Sequence, residues 1–168
     1  SDELMFTALS IPNPHIVTIV EEIDMELARQ IGEKANNLPE VFPRGTNVSF
    51  VKLINKGEIF VQTYERGVGF TNSCGTAMSS SSFVTCLLDY NSFTEEIKVY
   101  NAGGMVKCNI IEGSELKVML KGNATYVGSG VIHFNFSNPD ASTLLEETTN
   151  DHEIESYTRF ENKLKASL

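Results

Sequence analysis

One cysteine in this chain stands where a cysteine can do chemistry. The run Tyr64-Glu65-Arg66-Gly67-Val68-Gly69-Phe70-Thr71-Asn72-Ser73-Cys74-Gly75-Thr76 passes from an alternating strand, through two glycines, to the threshold of an apolar helix. A cysteine at a helix N-terminus meets unpaired backbone N–H groups and the positive end of the helix dipole, and both favour the thiolate. Gly75 and Thr76 offer backbone donors to an anion beside that sulfur. The combination suits a nucleophile or proton carrier next to a carboxylate cradle. A free cysteine more commonly serves as a small buried hydrophobe. Cys86 and Cys108 fit that role: Cys108 shares a strand face with Val106 and Ile110, and Cys86 lies in the apolar part of the helix. Cys74 is surrounded instead by glycines, a threonine and charged residues.

Glu65 is the second candidate. It falls on the strand face of Ile59, Val61 and Thr63, the face expected to turn inward. An inward carboxylate costs several kcal/mol unless it is paired or protonated. A strand-end glutamate reaching solvent is the plain alternative. Arg66, on the opposite face, is either an ordinary surface residue or a planar fork for a carboxylate ligand. Asn13 lies in Pro12-Asn13-Pro14-His15, where prolines on both sides fix the backbone and hold the amide. Taken singly, Asn13 and Asn47 read as turn asparagines and His15 as a satisfied strand-start histidine.

Other chemistries find no support. The histidines at 15, 133 and 152 have no metal-ligand spacing, and neither H-E-x-x-H nor C-x-x-C occurs. There is no Walker-type phosphate loop, Gly67-Val68-Gly69 is too short for a dinucleotide fingerprint, and Ser80 and Ser82 lack the G-x-S-x-G elbow of a hydrolase.

The elements that must position these residues are mostly short strands. Strands are expected over 16–20, 47–54, 59–66, 96–100, 105–111, 116–120 and 125–127, with Ile132, Phe134 and Phe136 continuing the alternation. Turn signals at Ile54-Asn55-Lys56-Gly57-Glu58, Gly103-Gly104, Glu112-Gly113-Ser114 and Gly122-Asn123 separate them. Asp24 is placed to cap a helix with Leu27, Ala28, Ile31 and Ala35 on its inner face, stopped by Pro39. Residues 151–166 put Ile154, Tyr157, Phe160 and Leu164 on one helical stripe. The four serines 79–82 read as small helix residues that permit close packing. This pattern gives an α+β fold: a mostly antiparallel, barrel-like sheet around the central helix, or else a two-layer sandwich. The organisation expected is a domain over 1–139 and an acidic, helical appendage over 140–168.

At 168 residues the chain can bury a core. Its net charge of −9 argues against nucleic-acid and anionic-membrane partners, which require basic patches. No apolar run reaches the roughly 18 residues of a membrane helix, and no basic-then-apolar segment opens the sequence. Three cysteines at scattered spacing resemble neither a disulfide framework nor a zinc site, so a reduced, cytoplasmic setting is expected.

Three motifs occur in one order: Asn13-Pro14-His15, then Gly45-Thr46-Asn47-Val48, then Glu65-Arg66-Gly-x-Gly-x-Thr71-x-x-Cys74-Gly75-Thr76. Together, over roughly residues 5–135, they resemble the C-terminal half of diaminopimelate epimerases. These are cofactor-independent amino-acid epimerases of lysine and cell-wall biosynthesis. The resemblance implies two similar halves, each a barrel around a central helix and each contributing one cysteine to the substrate α-carbon. One cysteine acts as thiolate base and the other as thiol acid, with no cofactor or metal. On this resemblance Cys74 is the catalytic cysteine of this half, with Glu65 holding an ammonium and His15 assisting. Gly75 and Thr76 bind the α-carboxylate, and Asn13, Asn47 and Arg66 bind the remaining polar groups of the substrate. The partner implied is an N-terminal half with its own cysteine; homodimerisation stays open. Ala77, Pro12 and the serine-rich helix depart from the family pattern. A racemase for another amino acid, such as histidine, and a non-catalytic binding module therefore stay open as alternatives.

Overall fold

The computed structural model describes residues 3–113 and 115–167 and divides into two compact units, Ser1–Gly122 and Asn123–Leu168. The first holds strands β1 (Thr7–Ile11), β2 (Asn13–Val20), β3 (Asn47–Asn55), β4 (Glu58–Glu65), β5 (Gly69–Phe70), β6 (Ile97–Asn101), β7 (Gly104–Ile111) and β8 (Lys117–Lys121), with helices α1 (Met25–Asn36) and α2 (Gly75–Leu87). They form one eight-stranded sheet in the order β1-β2-β3-β4-β6-β7-β8, with β5 paired to β4. Pairing is antiparallel except for β2 with β3 and β4 with β6. Those are the two places where a helix intervenes, and a helical crossover is what returns a chain parallel to its previous strand. The mostly antiparallel sheet curled around a central helix is therefore the architecture found. Among the described residues β1 and β8 share no ladder, and a groove lined by Leu9, Ile11, Phe83, Leu116 and Val118 marks the seam between them.

The sheet packs helices on both faces. Alternation sends Val17, Val51, Ile59, Val61, Ile97, Val99, Cys108 and Ile110 to the concave side, where they close over Met78, Val84 and Cys86 of α2. α2 has no polar face: Ala77, Met78, the four serines 79–82, Val84, Thr85 and Cys86 are all buried. Small residues let strands approach it from every side, as the run of serines led one to expect. The convex side receives α1, where Ile16, Val48 and Phe50 meet Ala28 and Ala35.

Asp24 caps α1 as read from the sequence, its Oδ1 accepting the Glu26 and Leu27 N–H groups at 2.9 and 3.0 Å. Leu27 does not belong to the inner face, being 43% exposed; Gly32 takes that place between Ala28 and Ala35. The exchange follows from the tyrosine opposite. A Cβ on Gly32 would lie 2.3 Å from Tyr64 Cγ, so the helix approaches β4 only because no side chain stands there.

The second unit holds β9 (Gly128–His133) paired antiparallel with β10 (Thr143–Thr149), and helix α3 (Asp151–Ser167). Two sequence expectations change here. The strand expected over 125–127 is loop, with β9 beginning at Gly128, and the boundary expected after 139 falls inside this unit. Pairing of 128–133 with 143–149 ties the two sides of that boundary together, and the stretch beyond 140 contributes a strand as well as the expected helix. The rings of Tyr157 and Phe160 of the expected stripe meet in a tilted contact, centroids 5.9 Å apart, and Leu164 is buried.

Candidate active site

The polar residues singled out in the sequence collect on the concave face, beyond its apolar part. On β2 the alternation that carries Val17 inward also carries Asn13 and His15. On β3 the row with Val51 continues through Ser49 to Asn47, and on β4 the row with Ile59 and Val61 continues through Thr63 to Glu65. Registers set His15 beside Asn47 and Ser49 beside Thr63, whose hydroxyls are 3.0 Å apart. The first strand pair turns within a single residue, Pro12, since Ile11 pairs with Asn13. Asn13 is therefore a strand residue at the rim of the row and half-buried there.

Asn47 is almost wholly buried, and its Oδ1 accepts the Arg66 N–H at 3.0 Å. The loop that delivers it is held by Asn36 of α1, which accepts the Thr46 N–H at 3.0 Å and donates to the Thr46 carbonyl at 3.0 Å. Gly45 precedes it with φ of +67°, where a Cβ would meet Asn36 Oδ1 at 2.5 Å. Glycine is thus required twice over at that position.

β4 ends at Glu65, turns through Gly67 and returns as β5. The Thr71 hydroxyl donates to Glu65 Oε1, tying the carboxylate to the segment that leads into α2. Cys74 is the N-cap of α2 in extended conformation, its carbonyl accepting the Met78 N–H at 3.0 Å and its sulfur 3.6 Å from Thr76 Oγ1. It is half-buried, while Gly75 is exposed, so the first turn of the helix opens outward.

The charges couple these residues. Burial pushes the Cys74 thiol above its ordinary range; the Thr76 hydroxyl and Ala77 N–H draw it down, and the Glu65 carboxylate pushes it up. The helix terminus favours the thiolate, as the sequence suggests, but burial acts in the opposite sense and is the largest of the effects on this thiol. Burial raises Cys108 as well, and Cys86 to about 11. His15 is lowered to about 4, chiefly by burial, with Glu65 raising and Arg66 lowering it. Both of its ring nitrogens lack a hydrogen-bond partner among the described residues. The sequence reading of a satisfied strand histidine does not hold: it is a neutral imidazole, buried and unpaired, in the row with Asn13.

One arm of the Arg66 fork is held by the protein. Its Nη1 donates to the Arg44 carbonyl at 2.9 Å, which commits part of the fork to the 44–46 loop. Sequence reading did not single out Thr71 as the partner of Glu65 or Ser49 and Thr63 as a buried hydroxyl pair; Thr71 stood in the motif, and the period-2 pattern of β3 and β4 already placed the other two inward.

The diaminopimelate epimerase family model matches residues 7–127. The chain belongs to the diaminopimelate epimerase family. The chain is 43% identical over 162 residues to the diaminopimelate epimerase of Clostridium acetobutylicum, covering 95% of this chain and 48% of that one. Against the Listeria welshimeri diaminopimelate epimerase the identity is 39%, over 92% of this chain and 46% of that one. The Lactiplantibacillus plantarum diaminopimelate epimerase is 47% identical over 76% of this chain and 40% of its own length. The chain thus spans about half the length of the curated relatives it matches. Among solved structures, a phenazine biosynthesis protein of the PhzF family from Bacillus anthracis aligns with a TM-score of 0.54 at 12% identity, covering 77% of this chain and 41% of that one. That likeness is one of fold. Among the described residues no helix is long and apolar enough to cross a membrane, and no cluster of His, Cys, Asp and Glu could hold a metal ion.

Proposed function

We propose that this chain is the C-terminal half of a cofactor-independent epimerase that interconverts LL- and meso-diaminopimelate, in lysine and peptidoglycan biosynthesis. The observation that carries the reading is the placement of Cys74 between the Glu65 carboxylate and the outward-opening first turn of α2.

Epimerisation requires a proton to leave the α-carbon on one face and another to arrive on the opposite face. Cys74 rests as the thiol, poised to donate its proton to a carbanion. In the reverse direction it starts as the thiolate, the state left by that donation, and receives the α-proton. The carbanion's charge spreads onto its carboxylate, and the N–H groups of Gly75 and Thr76 supply donors in the orientation that stabilises it. Asn13, Asn47 and Arg66 hold the other polar groups of the amino acid, Glu65 also faces its ammonium, and neutral His15 assists. A single cysteine serves one face alone. The second comes from an N-terminal half, the partner of this chain in a cytoplasmic enzyme, a reading supported by the chain's spanning about half the length of its relatives.

Incubation of the chain alone with LL-diaminopimelate in D₂O tests this division. The expected result is no inversion and no sustained deuterium incorporation at the α-carbon, whereas a full-length protein carrying both halves does both and its Cys74→Ser variant does neither. Sustained inversion by the isolated chain, or undiminished turnover by Cys74→Ser, overturns the reading.

A further inference from the structure

The turn between β6 and β7 grips the chain on both sides of Cys74. Along β6 the inward row is Ile97, Val99 and Asn101, all buried, and Asn101 ends it. Its Nδ2 donates to Ser73 Oγ at 3.4 Å, one residue before Cys74, and to Met78 Sδ at 2.7 Å in the first turn of α2. Its Oδ1 accepts the Gly103 N–H at 2.9 Å, and the same N–H donates to the Asn72 carbonyl at 2.9 Å. Gly103 lies so close to this segment that a Cβ would stand 3.1 Å from Asn72 O and 3.2 Å from Asn72 Cβ. β4 runs on past the level at which β6 stops, since Phe60 pairs with Tyr100 while β4 continues to Glu65. The segment 71–74 therefore has to descend onto this turn.

We propose that Asn101, with Gly103, is the positioning device for Cys74: one carboxamide sets the residue before the N-cap and the first turn after it at a fixed separation. A flexible lead-in would let the exposed Asn72-Ser73 segment swing and take the sulfur out of the reach of Glu65. Asparagine suits the task because a single side chain donates to two sites and accepts at a third. The inference rests on the epimerase reading only for its purpose; the geometry it concerns is that of the thiol.

The test reads the thiol directly, in the chain as it stands. Cys74, Cys86 and Cys108 are alkylated with iodoacetamide across a pH series and quantified by peptide mass spectrometry. In Asn101→Leu the freed lead-in exposes the sulfur, so its titration midpoint falls toward the ordinary thiol value; a fall of about one pH unit gives about tenfold faster alkylation on the acid side of the midpoint. Cys86 and Cys108 keep their rates. Gly103→Ala leaves Asn101 in place but crowds Asn72, and it shifts the Cys74 midpoint in the same direction; this variant carries the test if Asn101→Leu does not fold by circular dichroism. An unchanged Cys74 profile in a folded variant overturns the proposal. So does parallel acceleration of all three cysteines, which is loosening of the whole fold. Epimerase activity enters none of these readings, so their failure leaves the proposed function untouched.

Discussion

The carboxamide oxygen of Asn47 accepts the backbone N–H of Arg66 at 3.0 Å, and the same side chain lies opposite His15 in the β2–β3 register. The oxygen is therefore committed to the protein, and Nδ2 makes no hydrogen bond among the described residues. A donor remains on this buried side chain, and a donor suits a carboxylate ligand. Asn47→Asp keeps the acceptor for Arg66 but replaces that donor with an anion. Like charges set against one another cost several kcal/mol, so kcat/KM of a full-length protein for diaminopimelate falls about 100-fold or more. Steady-state kinetics within about twofold of the parent would remove Asn47 from the binding set.

Glu65 raises the Cys74 thiol, so removing its charge lowers it. Glu65→Gln retains an oxygen to accept the Thr71 hydroxyl while neutralising the side chain. Cys74 in this variant alkylates several-fold faster near neutral pH. Epimerase turnover of the full-length variant nevertheless falls, because the carboxylate that faces the substrate ammonium is gone. Slower alkylation would show that Glu65 acts on Cys74 in some other way.

His15 makes the fold sensitive to mild acid. Its folded value, about 4, lies below the ordinary 6.5, so the unfolded chain binds its proton first as pH falls. The stabilising contribution is complete above pH 6.5 and is lost progressively as pH falls from there to about 4. At about pH 5 the loss is on the order of 2 kcal/mol relative to neutral pH, seen as a lower urea midpoint. His15→Gln flattens this part of the profile. Equal acid sensitivity in parent and variant would assign the effect to other groups.

Gly75 stands at the mouth of α2, and a Cβ built there meets only Leu120 Cδ1, at 3.8 Å. Gly75→Val is accordingly tolerated by the fold, and the melting temperature of the chain moves by only a few degrees. The branched side chain covers the amide group that a carboxylate would approach, and turnover in the full-length protein is nearly abolished. A variant that epimerises at the parent rate would place the carboxylate elsewhere.

Much of this was legible in the residues because it depends on short-range pattern. Period-2 alternation over 47–54 and 59–66 placed Glu65 on the inward face, and Asp24 announced the start of α1. β1 escaped notice because the prolines at 12 and 14 suggest a break, yet the chain folds back at Pro12 alone. Leu27 looked like a core residue until Tyr64, distant in sequence, claimed the surface beneath Gly32. The balance of effects on the Cys74 thiol was hidden for the same reason. The helix dipole is a local property visible in sequence, whereas burial and the approach of Glu65 come from the curled sheet. Arg44, whose carbonyl takes part of the Arg66 fork, is likewise distant in sequence from its partner.

Seven of the eight strands touch α2. Amides in its interior are reachable by solvent only when the sheet opens, so their hydrogen exchange should proceed through global unfolding rather than local fraying. The helix that carries Cys74 is thus the part of this unit least able to breathe. Any gating of the site has to be done by segments outside the helix, leaving the sulfur as the fixed point against which those segments move.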